Sequence, residues 1–218
     1  MTNSTAPFTV IGLAGYARAG KDTAAAPLIE DHGFKRLAFA NGVRALAWEL
    51  NPMLYVDGGF GARITYRDAM EQYGQDWAKA NTDVRDHLVA IGGGVRRVIG
   101  PNSWVEAVKT QMVRGTSYVI TDVRYANEVE MIGRLGGEVW MVERPDVGPA
   151  NEEERMSFEG VSPHRFIDNS GTVEDLHDEV EGALQLFNRR SAKGLTARTW
   201  AQDAGMGYSK PRPGQTTK

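Results

Sequence analysis

The chain of 218 residues contains no cysteine, which excludes disulfide bonds, thiol catalysis and cysteine-ligated zinc. It has no apolar run near the length of a membrane span, and its start, MTNSTAPFTV, lacks the charged and apolar regions of a secretory signal. Its formal net charge is only −3, so no general attraction to nucleic acid or to a membrane surface is predicted. We therefore expect a soluble cytoplasmic protein that contacts neither a nucleic-acid polymer nor a membrane.

Several catalytic signatures are missing as well. The four histidines, at positions 32, 87, 164 and 177, have no metal-ligand spacing. The sequence contains no serine nucleophile elbow, no paired carboxylates of the glycosidase kind and no Gly-x-Gly-x-x-Gly dinucleotide fingerprint. With 41% apolar and 24% charged residues the composition is that of an ordinary globular protein, so any function must come from local motifs.

Alternating strand and helix patterns predict an α/β fold with a doubly wound, mostly parallel sheet. Apolar runs typical of buried strands lie at 8–15, 117–122 and 138–143, and shorter strand patterns lie at 34–39 and 165–168. Helical patterns cover 21–32, 41–50, 67–80, 83–100 with an interruption at 92–94, 103–113, 126–135 and 172–190. The glycine-rich residues 53–65 are predicted to form a loop.

This pattern predicts one domain over residues 1–190 with two additions to the sheet. The long helical stretch of about 41–115 is not needed by the sheet, so we expect it to form an inserted lobe. Residues of about 144–165 are polar and rich in glycine, proline and glutamate, which favours a mobile lid. Residues 191–218 are predicted to be a flexible tail.

The segment GYARAGKDT, residues 15–23, lies between the first buried strand and the first helix. Gly15 and Gly20 allow the backbone to curl where a Cβ would clash, and successive N–H groups would then point at one spot beside the positive helix end. Lys21 would neutralise the β- and γ-phosphates of a bound nucleotide. The segment therefore predicts a phosphate-binding loop, with an ordinary strand–turn–helix connection as the alternative.

Two acidic residues near this loop have two interpretations each. Asp22 occupies the position where the strict motif has serine or threonine, and Thr23 follows one residue later. Asp22 is either an acid that stabilises the first turn of the helix through the helix dipole, or a contact for a magnesium-bound water or for substrate. Asp122 ends the second buried strand, at the edge where ligands of open α/β sheets bind. It either holds magnesium through water or accepts a proton from an attacking group, or it caps the segment that follows the strand. Arg124 follows it and is expected to clamp a second phosphate.

Arginines and tryptophans are frequent in the expected lobe and lid. The lobe is predicted to bind a flat anionic acceptor, although any single arginine there is more simply explained as a solvated residue. The lid would close over the donor and exclude water. The residues concerned are Arg44, Arg63, Arg67, Arg85, Arg96 and Arg97 with Trp48, Trp77 and Trp104 in the lobe, and Arg144, Arg155 and Arg165 in the lid.

Five blocks between residues 8 and 188 together resemble the deoxynucleoside monophosphate kinases of tailed bacteriophages, relatives of adenylate kinase and dephospho-CoA kinase. The blocks are GYARAGKDT, LAFANGVRALA, VRDHLVAIG with RRVIGPNSWV, TDVRYANEVEMIGRLGGEVWMVERP and DNSGTVEDL. The fourth block is the most specific. The segments LVAIGGG and RMSFE depart from the patterns of the family at the acceptor and lid positions, so base specificity is not predicted.

The resemblance implies a role for each matching position. The ATP site would comprise Gly15, Ala17, Arg18, Ala19, Gly20, Lys21, Asp22 and Thr23, with Asn169 and Gly171 near the adenine. The monophosphate site would be lined by Arg44, Arg85, Arg97, Trp104 and Arg124. Lys21, Asp122, Arg124 and Arg144 would be catalytic, and Thr23 and Asp122 would serve the metal.

The implied activity is transfer of the ATP γ-phosphoryl group, with Mg²⁺, to a (deoxy)nucleoside 5′-monophosphate. If the protein is phage-encoded, it would act in the host cytoplasm. Two other functions stay open: a kinase of another small acceptor, similar to dephospho-CoA kinase, and an NTP-hydrolysing switch or binding module. The long lobe and the absence of a guanine-reading Asn-Lys-x-Asp argue against the switch. The sequence leaves open whether the protein forms a homodimer.

Overall fold

The central sheet has five strands, all parallel, in the order β2–β5–β1–β6–β7. The structure, a computed structural model, describes residues 8–149, 152–158 and 160–193. A separate antiparallel hairpin is formed by β3 and β4. The strands are β1 (Val10–Ala14), β2 (Lys35–Leu37), β3 (Met53–Tyr55), β4 (Arg63–Thr65), β5 (Tyr118–Val123), β6 (Glu138–Glu143) and β7 (Arg165–Asp168). The predicted α/β class with a parallel sheet is confirmed.

Helices surround this sheet and fill the long connection between β2 and β5. They are α1 (Lys21–Glu30), α2 (Ala40–Leu50), α3 (Tyr66–Gln72), α4 (Gly74–Asn81), α5 (Val84–Val98), α6 (Ser103–Lys109), α7 (Ala126–Arg134), α8 (Glu152–Ser157) and α9 (Val173–Ala192). The helices α2 to α6 and the hairpin β3–β4 lie in that connection, where the inserted lobe was expected. Across the described ranges, none of the helices combines the length and apolarity that a membrane crossing demands.

Strand β1 is covered on both faces, which explains its uninterrupted apolar sequence. Ile11 and Leu13 belong to the core that includes α1 and α9, whereas Val10 and Ala14 belong to the core that includes α6 and α7. A third apolar cluster joins α2, α3, α4 and α5 within the connection between β2 and β5. The sheet therefore fixes the carboxyl end of β1 at the centre of the molecule.

The structure differs from the sequence-based expectation at two places in this connection. Residues 53–65 hold the hairpin β3–β4, whose strands of three residues each are too short to give an alternating pattern. Helix α5 continues through residues 92–94 without a break. The carbonyl of Gly92 accepts a 3.0 Å hydrogen bond from the indole of buried Trp104, so tertiary packing overrides the low helix propensity of the glycines.

The close approach of β6 to β1 generates a stability prediction. A Cβ at Gly137 would lie 2.1 Å from the carbonyl oxygen of Val10, so Gly137→Ala should destabilise the protein by about 2 kcal/mol or more. Gly133→Ala, in α7, is the matched control because its Cβ would meet nothing within 4 Å. The control should stabilise by about 0.5 kcal/mol through helix propensity. Urea unfolding measures both, and equal midpoints for the two variants would contradict the packing described here.

Candidate functional site

The loop of residues 15–20 lies at the carboxyl end of β1 and is held tightly against its neighbours. Gly15 has a φ of +142° and Gly20 a φ of +96°, both in the region that favours glycine. A Cβ at Gly15 would lie 2.6 Å from the carbonyl oxygen of Val142, and one at Gly20 would lie 2.4 Å from Asn169 Nδ2. The Asn169 amide also donates a 2.8 Å hydrogen bond to the carbonyl of Ala19. The backbone of this loop therefore needs both glycines.

The ammonium group of Lys21 folds back across the loop. Its Nζ donates to the carbonyl oxygens of Gly15 at 2.7 Å and Tyr16 at 2.8 Å. Burial and the nearby charge of Arg124 lower the pKa of Lys21, while nearby carboxylates oppose that shift. Arg18 adopts a left-handed φ of 68°, a conformation that non-glycine residues adopt at a cost and that often marks functional sites. The Lys21 ammonium is thus held against the backbone at the start of the loop.

Asp122 connects the sheet to the first helix of the long insertion. Its two carboxylate oxygens accept hydrogen bonds from the backbone N–H groups of Phe39 at 2.8 Å and Ala40 at 2.9 Å. These are the unpaired donors at the start of α2, so Asp122 caps this helix from a distant part of the chain. The geometry supports the capping interpretation, and the metal or proton role stays a prediction.

The turn after β5 is fixed by a buried carboxylate. Glu128, only 2% exposed, accepts hydrogen bonds from the backbone N–H groups of Arg124 at 2.7 Å and Tyr125 at 3.1 Å. Arg96 of α5 lies 3.3 Å from the other oxygen, and its guanidinium stacks 3.9 Å above the Tyr125 ring. Glu128 therefore positions the backbone that carries Arg124 and ties this turn to the inserted helices.

Asp22 is engaged by an arginine from the edge strand of the sheet. Arg36 Nη2 lies 2.6 Å from Asp22 Oδ1, and Arg36 Nε donates to the Thr121 hydroxyl at 3.2 Å. Both members of the ion pair are largely exposed, so the pair contributes little to stability. The pair places a second arginine beside the loop, near the end of β5.

The four predicted lobe residues have different environments. Arg44 Nη2 donates to Asn41 one turn earlier in α2, near the helix end that Asp122 caps. The described contacts of Arg85 and Arg97 stay within the insertion. Trp104 is only 6% exposed and packs against Gly42, so it supports the lobe from inside instead of lining its surface.

The three arginines of the expected lid, Arg144, Arg155 and Arg165, have different environments. Arg165 begins β7 and lies 3.7 Å from buried Glu138, at the amino end of β6, which is the opposite end of the sheet from the loop. Arg155 pairs with Glu152 within α8. Of the three, Arg144 is the one that lines a cleft beside the loop. In this arrangement Arg165 lies away from the loop, and closure of residues 144–165 over a ligand stays a prediction.

A cleft of about 410 Å³ opens beside the loop at the carboxyl ends of β6 and β7. Its size suits a bound small molecule. Its walls come from the loop, from the end of β6 and from the chain after β6. The lining residues are Tyr16, Ala19, Met141, Val142, Glu143, Arg144, Pro145, Val147 and Asp168.

The described residues include no group of three or more acidic or histidine side chains that could hold a metal by themselves. Mg²⁺ in phosphoryl-transfer sites takes most of its oxygens from phosphates and water and needs only one or two protein ligands. Thr23, in the first turn of α1, is available for that purpose, whereas both oxygens of Asp122 are engaged. The residues present fit a magnesium ion that arrives with a nucleotide.

No protein-family model matches the chain. The chain is 27% identical over 192 residues to a protein of Acanthamoeba polyphaga mimivirus that bears the provisional name deoxynucleotide monophosphate kinase, with 79% of this chain and 94% of that protein covered. The alignment with shikimate kinase from Aquifex aeolicus covers 81% of this chain and 96% of the kinase, at 11% identity and a TM-score of 0.40. The alignment with dephospho-CoA kinase from Campylobacter jejuni covers 82% of this chain and 96% of the kinase, at 12% identity and a TM-score of 0.39. The fold assignment stands on the strand order of the chain itself.

Sequence reasoning missed three residues that the structure places at the site: Arg36, Glu128 and Glu154. The spacing of Glu128 from the end of β5 is that of a helix-capping acid, a signal that could have been found. Arg36 lies on a strand of three residues, too short for a pattern. Glu154 belongs to a run of three glutamates that looks like a solvated surface. In the structure it is only 7% exposed and accepts a hydrogen bond from the loop.

Glu128 generates a pH-dependent stability prediction. Burial raises the pKa of Glu128 from its ordinary value of 4.5 to about 7, against the opposing effect of its hydrogen bonds and Arg96. A raised acid pKa means that the folded state holds the proton more tightly than the unfolded state. The contribution of Glu128 to stability is therefore complete below pH 4.5 and is lost as the pH rises through about 7.

Glu128→Gln removes this titration but keeps the side-chain shape. Between about pH 5 and about pH 8, the unfolding free energy of the wild type should fall relative to that of Glu128→Gln by up to about 3 kcal/mol. Urea titrations of both proteins at the two pH values give this difference, in which the titrations of all other groups cancel. Parallel pH profiles for the two proteins would show that Glu128 has no raised pKa.

Proposed function

We propose that the protein transfers the γ-phosphoryl group of ATP to a (deoxy)nucleoside 5′-monophosphate. The observation that carries this proposal is the arrangement of Lys21 and Arg124 at the carboxyl edge of the sheet. The two cations are close enough that repulsion by the charge of Arg124 lowers the pKa of Lys21. Two anionic substrates that meet between these cations, with the donor phosphates at Lys21 and an acceptor phosphate at Arg124, would relieve that repulsion.

The donor fits the loop and the cleft beside it. The backbone N–H groups at the start of α1, together with Lys21, would hold the β- and γ-phosphates. The nucleoside would lie in the cleft lined by Tyr16, Arg144 and Asp168, next to the turn that holds Asn169. The Asn169 side chain is used to hold the loop, so its contribution to donor binding would be indirect.

The acceptor would approach from the side of the inserted helices. Asp122 fixes the start of α2 beside the end of β5, and Arg44, in the second turn of that helix, would then face the acceptor together with Arg124. A bidentate guanidinium at Arg124 would bind the acceptor phosphate and present its oxygen in line with the donor.

Such a reaction needs positioning and charge neutralisation more than covalent catalysis. Lys21 would stabilise charge on the transferring group, and Arg124 would lower the repulsion between two anionic substrates. Thr23 would hold the Mg²⁺ that arrives with ATP, and that ion would supply further neutralisation of phosphate charge. Arg144, at the mouth of the cleft, would add positive charge on the donor side.

The mimivirus relative supports this choice of acceptor, because its provisional name is that of a deoxynucleotide monophosphate kinase and the alignment spans 94% of it. The position of Arg124, directly after β5, with its backbone held by the Glu128 that also pairs with Arg96 of the insertion, supports a second phosphate site. A simple NTPase would need no such site, and ATP hydrolysis without acceptor is therefore the main competing outcome.

Lys21→Ala tests the loop. Lys21 should interact more strongly with the transition state than with bound ATP, so the variant should lower kcat by at least about a hundredfold. Lys109→Ala is a suitable control, because Lys109 is exposed and pairs only locally with Glu106 at 2.9 Å. Steady-state rates of ADP formation provide the comparison. If Lys21→Ala kept the wild-type kcat, the loop would not be the donor site.

Arg124→Lys tests the acceptor contact. A point charge cannot replace a bidentate guanidinium, so KM for the monophosphate should rise by about tenfold while KM for ATP stays near the wild-type value. Arg134→Lys, in an exposed pair with Glu130 on α7, controls for the chemical change itself. An equal rise in both KM values would move Arg124 to the donor side or to a structural role.

A further inference from the structure

The phosphate-binding loop already contacts an anionic side chain of the same protein. Oε1 of Glu154, in α8, accepts a 3.1 Å hydrogen bond from the backbone N–H of Ala17, at the turn of the loop. The same oxygen lies 3.9 Å from the guanidinium of Arg124, and its negative charge acts on Lys21. One carboxylate therefore accepts a hydrogen bond from a loop N–H, lies 3.9 Å from an arginine and acts through its charge on a lysine. These are the three kinds of group with which a phosphate would be bound.

The contact is buried and supported by a second one. Glu154 is only 7% exposed, and a buried carboxylate is stable only where donors or cations compensate for its lost hydration. The ring of Phe158, just after α8, meets the Tyr16 ring edge-on at 5.3 Å, so the same segment is anchored to the loop by an apolar contact. The neighbouring Glu152 is exposed and pairs with Arg155 on its own helix. Glu152 and Glu154 thus have separate environments.

We propose that Glu154 is an internal competitor of the donor phosphates: its carboxylate occupies the phosphate-binding loop in the free protein and must leave when a polyphosphate binds. Two anions cannot share the Ala17 N–H and the field of Lys21 and Arg124 without strong repulsion. The free loop is therefore divided between an occupied and an open state, and only the open state binds the donor. The apparent affinity for phosphate is therefore the intrinsic affinity of the open loop multiplied by the fraction of molecules in which the loop is open.

This inference rests on the proposed phosphate-binding role of the loop but not on the identity of the acceptor. The inference also assigns a function to helix α8: its Glu154 competes with the donor phosphates for the loop. Since Glu154 also faces Arg124, its departure frees the guanidinium that the proposed acceptor contact requires. Displacement of the Glu154 carboxylate by the donor would then leave the Arg124 guanidinium ready to bind the acceptor phosphate.

Calorimetric titration with inorganic tripolyphosphate tests the inference without any enzymatic turnover. Glu154→Gln keeps the shape of the side chain but removes its charge, and a charge-assisted hydrogen bond is roughly twice as strong as a neutral one. The variant should therefore bind tripolyphosphate about tenfold more tightly than the wild type. Glu152→Gln removes a charge from the same helix and should bind as the wild type does.

A second measurement locates the effect. In ¹⁵N-labelled protein, the Ala17 amide proton should shift on Glu154→Gln and on addition of tripolyphosphate, but not on Glu152→Gln. Equal or weaker tripolyphosphate binding by Glu154→Gln would overturn the inference, and weaker binding would make Glu154 a donor ligand. If no protein bound tripolyphosphate, the inference and the phosphate-binding loop would both fail. Tighter binding by Glu154→Gln without transfer to any monophosphate would leave the inference standing and remove only the proposed acceptor.

Discussion

The carboxyl edge of the sheet depends on the tight turn between β1 and α1. A Cβ at Gly15 would clash with the carbonyl of Val142 and one at Gly20 with the side chain of Asn169, and both residues have a positive φ that favours glycine. The ammonium of Lys21 folds back onto this turn, beside the amino end of α1, where the helix dipole adds positive charge. Positive charge concentrated in this way is unfavourable without an anion, and in the free protein Glu154 supplies one. The proposed donor would replace that carboxylate with phosphate oxygens.

Two further carboxylates connect this edge to the inserted helices. Asp122 caps α2, and Glu128 holds the backbone of Arg124 while it pairs with Arg96 of α5. Both acids therefore serve as structural ties between the sheet and the insertion. Through Glu128, the backbone of Arg124 and the side chain of Arg96 in α5 share one buried carboxylate. The acceptor side of the proposed site is accordingly built from contacts between distant parts of the chain.

The sequence predicted what depends on local pattern. Strand β1, the loop after it and the parallel sheet follow from a buried apolar run and two glycines next to Lys21. What depends on long-range contacts could not be predicted: Asp122 bonds to amides about eighty residues away, and Trp104 keeps α5 continuous through its glycines. Arg165 resembled a lid residue because its segment is polar, yet pairing of β7 with β6 carries it to the opposite end of the sheet. The predictions for Thr23, Arg85, Arg97 and Gly171 stay predictions.

The central claim is transfer between two nucleotides, and the ³¹P NMR spectrum of one reaction mixture tests it most directly. The purified protein is mixed with ATP, Mg²⁺ and each of the common deoxynucleoside and ribonucleoside monophosphates in turn. With at least one of them, the γ-phosphorus signal of ATP should decline as the β-phosphorus signal of a new diphosphate grows in equal amount, without inorganic phosphate. Release of inorganic phosphate at the same rate with and without every monophosphate would contradict the claim and identify an NTPase instead.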